Sequence, residues 1–398
     1  MIRASRLFRD YKTDPRATLS DLREALCLHR DGKPGGIAPS EFSIADLAEW
    51  FITDSSGEPI GREGLRSWLS AEFLEAAPVS TGAFAAITRM VVETQVLEGY
   101  ALPDAVLSKS IQTRPGKHRD ARLVNFTLPL SETSEIGDVP EGAEKPAVGM
   151  YTEYAKNLPP KKKGAVLSIT RETILADDTG QILDAARRIG ETIAIQKESL
   201  ITDFVCGLVQ NCVIEKRRGD SNEVMSDLFL ASGRWSNSQT NPLDSWEDVD
   251  EAEQLIMLNT LPGTDLPPVL AKRFLLVPPQ LRARAFHILN ATEVRSVGAT
   301  VQVASPSPLT QLGITALVSP LVYSRQIAKG VSDDNAKGTW FFGDLNAFRY
   351  YELWPLEVKE VRDDRTAAVR DVIVEFAVSE YGVPVVVEPR IWCRNLPA

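Results

Sequence analysis

The chain has only four cysteines and three histidines in 398 residues, and neither residue type forms a cluster. The thiols are widely spaced except for Cys206 and Cys212, so the sequence lacks a disulfide framework and the paired spacing of a zinc site. We therefore expect four free, buried thiols in a reducing compartment. His29, His118 and His287 never reach the i, i+4 spacing of a helical metal site, and we predict neither a metal nor another cofactor.

Long apolar runs and a secretory leader are also missing. The first fourteen residues are charged, and the apolar stretches stop at proline after a few residues. A helix that crosses a bilayer needs about 20 apolar residues. The sequence therefore predicts a soluble protein that makes no membrane contact.

Basic residues are in deficit, because 44 Lys and Arg face 54 Asp and Glu, for a formal net charge of −10. A protein that holds nucleic acid tightly usually has a basic excess. We therefore expect at most weak contact with nucleic acid. Hydrophobic residues make up 43% of the chain, which is enough to build a packed core and excludes bulk disorder.

The common catalytic strings are absent: the sequence has no G-x-S-x-G elbow, no P-loop and no G-x-G-x-x-G. Adjacent acids at Asp177–Asp178 and Asp333–Asp334 leave a carboxylate-based enzyme as one alternative, although such pairs more often cap helices or form turns. The string Asp333–Gly338 opens like a calcium loop but has no acid at its twelfth position, so we predict a turn there. The chain is accordingly predicted not to be an enzyme.

Hydrophobic periodicity predicts helices and strands that are mixed without β-α-β alternation, which indicates an α+β protein. The predicted helices are 18–28, 43–51, 64–74, 82–98, a long helix capped by Asp177–Thr179 that continues to about Ile214, 248–259 and 280–289. The predicted strands are 123–128, 165–169, 273–277, 318–322, 338–342, 348–358, 372–378 and 383–387.

Residues 123–170 predict a long hairpin whose strands are Leu123–Leu128 and Ala165–Ile169. Its acidic tip consists of Glu132, Glu135, Asp138, Glu141 and Glu144, and its basic stem consists of Lys161, Lys162 and Lys163. A hairpin of this length has no core of its own and is unstable alone in water. We therefore expect it to dock on a neighbouring subunit by charge complementarity.

The order of these elements resembles the major capsid proteins of tailed phages, which have the Hong Kong 97 fold, and more narrowly the Mu-like major head subunits. The resemblance covers about residues 80–398. The segments that carry it are Ser80–Ile87, Leu167–Asp178, Phe274–Leu281, Trp340–Asp344, Val372–Val378 and Glu388–Trp392.

The resemblance implies a subunit that self-assembles through pentamers and hexamers into an icosahedral shell around a phage or prophage genome. It implies assembly in the host cytoplasm, localisation in the virion, portal and scaffold or decoration proteins as partners, and weak contact with double-stranded DNA. The implied domains are an N-terminal helical arm (1–78), the start of the peripheral domain (79–122), the E-loop hairpin (123–170), the spine helix with more of the peripheral domain (171–245), the axial domain (246–338) and the closing peripheral strands (339–398).

Several alternatives remain open at this stage. The first 78 residues are either a small helical subdomain or an extended arm on neighbouring subunits, and in the family they correspond to a retained arm or to a scaffold region that a protease removes. An encapsulin-like compartment would share the fold but enclose protein cargo. A soluble adaptor that uses the arm to bind other proteins would be a monomer or a small oligomer, and the carboxylate-based enzyme is a further alternative.

Overall fold

The computed structural model describes residues 4–70, 81–102, 105–115, 127–129, 141, 153–156, 160–176, 178–209, 213–217, 224–233, 235–260, 267–291, 293–297, 302–361 and 371–397. Its helices are α1 (Ala4–Thr13), α2 (Pro15–Arg30), α3 (Ile44–Phe51), α4 (Gly61–Ser70), α5 (Gly82–Tyr100), α6 (Leu107–Ser110), α7 (Arg171–Leu175), α8 (Thr179–Val205), α9 (Trp246–Met257), α10 (Arg282–Leu289), α11 (Pro320–Ala328) and α12 (Asp333–Gly338).

Its strands are β1 (Gln112–Pro115), β2 (Thr127–Pro129), β3 (Glu153–Lys156), β4 (Lys161–Thr170), β5 (Val213–Arg217), β6 (Val224–Ser226), β7 (Ser238–Thr240), β8 (Phe274–Val277), β9 (Glu293–Val297), β10 (Gln302–Pro306), β11 (Thr315–Val318), β12 (Trp340–Gly343), β13 (Phe348–Val361), β14 (Val372–Val386) and β15 (Trp392–Leu396). The α+β prediction is therefore confirmed. The chain folds into two compact units: one comprises Met1–Pro103, Lys162–Ile195 and Trp354–Tyr381, and the other comprises Asp104–Lys161, Gln196–Leu353 and Gly382–Ala398.

The first unit packs helices against one face of a sheet in which β14 lies between β4 and β13. Alternate residues of β14, among them Val374, Phe376 and Val378, are buried in its core. The core also receives the apolar faces of α2, α3, α5 and the first part of α8. Helices α5 and α8 approach closely where Gly99 lies against the backbone of Arg187, and Gly190 lies against the Val96 carbonyl.

The second unit contains a five-stranded sheet in the order β11-β8-β12-β15-β7. Successive residues of a strand face opposite sides, so Phe342 packs with Leu275 in one apolar cluster while Phe341 packs with Trp392 in another. The rings of Phe341 and Trp392 are stacked with their centroids 6.3 Å apart. Strands β2, β3, β5 and β6 form a separate antiparallel sheet of this unit.

The predicted long helix is correct at its start but wrong at its end, because α8 stops at Val205. Gly207 adopts a φ of 64°, and its N–H donates to the Phe204 carbonyl while the Leu208 N–H donates to the Asp203 carbonyl. This pair of bonds is the Schellman motif, which terminates a helix at a left-handed glycine. Val213 and Ile214, the last residues of the predicted helix, lie in β5 instead.

Two predicted strands of the C-terminal half are also corrected. The prediction of a strand at 318–322 is wrong, because β11 ends at Val318 and α11 begins at Pro320. Proline at the first helical position is favoured since its fixed φ suits a helix and no N–H is needed there. The strands at 372–378 and 383–387 are one continuous strand, β14, which runs through Gly382.

Most other predicted elements are confirmed to within a few residues, including α2, α3, α5, α9, α10, β8, β12 and β13. Asp333–Gly338, predicted as a turn, form the short helix α12. Cys206 and Cys393 are buried and free, whereas Cys27 is half-buried and corrects the expectation of full burial. No helix in the described part of the chain is long and apolar enough to cross a membrane.

Candidate assembly interface

The basic stem begins β4, at the edge of the sheet of the first unit. Lys161 and Lys162 are exposed and Lys163 is half-buried, as the side chains of β4 alternate between the surface and the core. The Lys162 ammonium lies 5.5 Å from the centre of the Trp354 ring. A cation above an aromatic face is stabilised by about 0.5–1 kcal/mol at an exposed site.

The Trp354 ring that contacts Lys162 is one of a pair of aromatic side chains on the sheet surface. The rings of Trp354 and Tyr381 lie with their centroids 5.3 Å apart, and Trp354 remains exposed. Val166 on β4 is 58% exposed. The basic stem therefore continues into an exposed surface that carries both apolar and cationic groups. Sequence reasoning missed Trp354 and Tyr381 as site residues, although the alternation in their strands indicated that one side of each strand faces outward.

The acidic tip is described only at Glu141, which lies in a turn and is exposed. Glu132, Glu135, Asp138 and Glu144 lie outside the described residues. The docking of the acidic tip and the basic stem on a neighbour therefore stays a prediction. The sequence-based domain boundaries likewise remain predictions.

The pairing of the hairpin strands differs from the prediction. Thr127–Pro129 of β2 pair antiparallel with β3, in the register Thr127 to Lys156. The predicted partner, Ala165–Ile169, belongs to β4, which instead neighbours β14. Pro159 and Pro160 separate β3 from β4 in the sequence. Proline has no N–H to donate, so a strand ladder does not continue through such a pair.

The N-terminal helices belong to the first unit and contribute to its core. Phe51 of α3 packs edge-to-face on Phe8 and Tyr11 of α1, with ring centroids 5.4 and 5.6 Å apart. The Ile44 N–H donates to the Thr179 hydroxyl at 2.8 Å, which ties α3 to the first residue of α8. These contacts lie within one chain, and an arm that lies on neighbouring subunits stays a prediction.

The acid pairs that suggested an enzyme have structural contacts. Asp333 accepts hydrogen bonds from Tyr323 and from Lys337, its i+4 neighbour on α12. The Lys337 ammonium, and then the Tyr323 hydroxyl, lower the pKa of Asp333. Asp178 accepts the Ile182 N–H with its carbonyl in the first turn of α8, and Asp177 lies outside the described residues. Within the described residues, no group of three or more His, Cys, Asp or Glu could hold a metal ion.

A family model decides the identity of the chain: the model described as "Phage capsid protein" matches residues 153–395. The chain belongs to the phage capsid protein family. The match extends from β3 to β15 and includes α8 and both long strands, more than half of the sequence. The expected α+β capsid fold of the Hong Kong 97 type is therefore confirmed, whereas the narrower Mu-like assignment stays a prediction. This family consists of structural shell proteins.

Solved structures give additional, weaker similarities. A structure of Gordonia phage Cozz is 18% identical over 74% of this chain and 87% of that chain, with a TM-score of 0.39. The capsid of an empty GTA particle is 15% identical over 75% and 91%, with a TM-score of 0.43. The SrpI encapsulin from Synechococcus elongatus is 12% identical over 74% and 88%, with a TM-score of 0.39. A search of curated proteins gives no match. The assignment therefore rests on the family match.

Proposed function

We propose that this capsid protein is the major head subunit of a tailed phage or prophage and forms an icosahedral shell of pentamers and hexamers around double-stranded DNA. The family match over residues 153–395 carries this proposal. The shell forms in the host cytoplasm, with portal and scaffold or decoration proteins as partners, and remains in the virion. The protein itself performs no catalysis.

The charge of the chain fits a container for DNA. DNA must move freely past the subunits during packaging and release, so tight binding of its phosphates would be a disadvantage. A subunit with a net charge of −10 binds phosphates only weakly. The basic stem and the exposed surface around Trp354 offer a place for a neighbouring subunit. Exposed aromatic residues such as Trp354 are enriched at the centres of interfaces, and charged groups such as the stem lysines are common at their rims.

The proposal is tested by electron microscopy and light scattering of the full-length protein, together with analysis of particles from producing cells. We expect closed shells or capsomers of five and six subunits from the purified protein. Nuclease-treated particles should contain this chain as the most abundant protein together with protected double-stranded DNA. Shells that hold protein but no DNA would instead support an encapsulin-like compartment. A shell function would be contradicted if the purified protein stayed a 43.8 kDa monomer under all conditions and the particles from producing cells did not contain it.

A further inference from the structure

Helices α2, α3 and α5 carry two exposed surfaces of opposite charge. These helices belong to the first unit and lie outside residues 153–395, the part of the chain that matches the capsid family. The family match therefore does not explain what the two surfaces bind. Every subunit has both of them, so a surface of one copy can meet the opposite surface of a neighbouring copy.

The first surface is a groove between α2 and α5, which we call the arginine groove. Arg23, Cys27 and Arg30 line it from α2, where the i, i+4, i+7 spacing places them on one side of the helix. Its lining also includes three apolar side chains, Leu26, Met90 and Leu97. The groove therefore offers guanidinium groups beside apolar surface, a combination that suits an aromatic side chain flanked by carboxylates.

The positive charge of the arginine groove is available to a partner. Arg23 is exposed and makes no ion pair within the described residues. Arg30 is also exposed and is bonded to Asp31. Glu93, an acid that lines the groove from α5, has a cation of its own, because the Nε atom of Arg89 lies 4.0 Å from its carboxylate. Arg23 therefore presents an uncompensated charge in the groove.

The second surface is the outer side of α3, which we call the Trp50 face and which consists of Asp46, Glu49 and Trp50. At about 100° per residue, these three side chains point away from the buried residues of the helix. Trp50 is 36% exposed, and its ring lies 6.1 Å from that of Phe8. Glu49 pairs with Arg62, whereas Asp46 is exposed and makes no ion pair in the part of the chain that the structure describes.

The two surfaces are complementary in charge and in polarity. The apolar side chains of the arginine groove can cover the exposed indole ring, and a guanidinium group over the face of that ring forms a cation–π contact. Asp46 can accept charge-assisted hydrogen bonds from Arg23. Tryptophan and arginine are enriched among the residues that anchor interfaces. Two arginine grooves, or two Trp50 faces, would instead repel each other.

We propose that the Trp50 face of one subunit docks in the arginine groove of a neighbouring subunit. This inference rests on the proposed shell function and adds a contact outside the residues that match the family. The contact joins two different surfaces of identical chains, and heterologous contacts of this kind can close into rings. Double-stranded DNA fits the groove less well, because phosphates gain nothing from its apolar side chains.

Cys27 provides a direct test of this contact in the full-length protein. The variant Glu49→Cys keeps Trp50 and Asp46 and places a second thiol on the Trp50 face. We expect a short bismaleimide to join this thiol to Cys27 of the next subunit, which gives dimers and higher multimers on a denaturing gel. The control is Glu49→Cys with Cys27→Ser, which should run as a monomer.

A charge exchange tests whether the contact matters for assembly. Arg23→Glu and Asp46→Arg should each reduce the yield of closed shells at least tenfold, while the circular dichroism spectrum stays unchanged. The protein with both changes should regain most of the yield. The control is Arg16→Glu, which has the same change in charge on the same helix but lies outside the groove and should assemble normally. If Arg23→Glu fails to fold, Arg23→Gln should still reduce the yield.

Each other outcome overturns the inference in a recognisable way. Normal shells from both charge variants, with no cross-linked multimers, would exclude the contact and leave the shell function intact. A cross-link confined to single chains would show that the two thiols meet within one subunit. Normal shells of Arg23→Glu that lose DNA would assign the arginine groove to the genome. Two defective variants without recovery in the combined protein would exclude direct pairing. Absence of shells from the unaltered protein would count against the proposed function, and the bismaleimide products would still decide the contact in the oligomers that form.

Discussion

Asp203, in the last turn of α8, accepts two hydrogen bonds from the Arg325 guanidinium of α11. The distances are 2.8 Å from Nε to Oδ1 and 2.6 Å from Nη2 to Oδ2. The Asp203 side chain is only 6% exposed, and the Lys329 ammonium lies 3.8 Å from it. This bidentate ion pair joins the end of the longest helix of the described chain to α11 within the second unit.

We predict that Asp203→Ala lowers the free energy of unfolding by about 1–3 kcal/mol, because it leaves Arg325 and Lys329 without their shared carboxylate. Urea denaturation followed by circular dichroism measures this change. Asp333→Ala is the control, since this exposed carboxylate pairs with Lys337 and Tyr323 at the surface, where water screens the contacts, so its loss should cost less. An equal decrease in the free energy of unfolding of both variants would show that burial does not make the Asp203 ion pair more important for stability.

Adding a single methyl group where α5 and α8 cross should destabilise the protein. Alanine at Gly190 would place its Cβ against the Val96 carbonyl oxygen and the Tyr100 nitrogen. We expect Gly190→Ala to cost about 1–3 kcal/mol through overpacking. The control in the same helix is Gly180→Ala, where the added Cβ meets no atom within 4 Å. That variant should be as stable as the parent or slightly more stable, since alanine favours a helix. Thermal melting compares the two proteins.

The cation above Trp354 predicts separate effects on folding and on assembly. Lys162→Ala should change the free energy of unfolding by less than about 1 kcal/mol, because the contact is exposed. If the basic stem is an interface, the same variant should form fewer shells by light scattering and microscopy. Lys359→Ala, on β13 and exposed, provides the control for loss of one positive charge. Identical assembly of both variants would remove the basic stem from the interface.

The buried thiols predict both a reactivity pattern and a pH effect. Burial raises the pKa of Cys393 to about 12 and also raises the pKa of Cys206, with the nearby Asp203 as a second cause. Cys27, which is half-buried, should therefore react with a maleimide before Cys206 or Cys393 at pH 8. Mass spectrometry of the labelled peptides identifies the order, and early labelling of Cys393 would show that its strand opens.

The same shifts set the sign of the pH dependence. An unfolded thiol loses its proton near pH 8.5, whereas these two folded thiols keep theirs. The folded state then binds more protons, so the free energy of unfolding should fall as the pH rises above about 8.5. The limit is about 1.4 kcal/mol per pH unit for each thiol. Substituting Cys393 by Ser should reduce this slope in urea titrations at several pH values.

The hydrophobic periodicity of the sequence correctly predicted those helices and strands that bury one face in a core. The 3.6-residue repeat of Phe84, Ile87 and Val91 predicted α5, and all three side chains are buried on one side of it. Alternation likewise predicted β13 and the first half of β14. Periodicity is informative in these segments because each one packs a single face against a core.

The sequence by itself determined the α+β class, the family and the separation of acidic and basic segments. Each of these follows from composition, or from the order and spacing of residues along the chain, without knowledge of distant contacts. Only the tertiary structure decided which strand closes the hairpin, since β4 finds its partner in β14, more than 200 residues later. It also decided that α8 ends at Gly207 and that the N-terminal helices pack on their own chain. These outcomes depend on contacts between residues distant in sequence, and no local periodicity encodes such contacts.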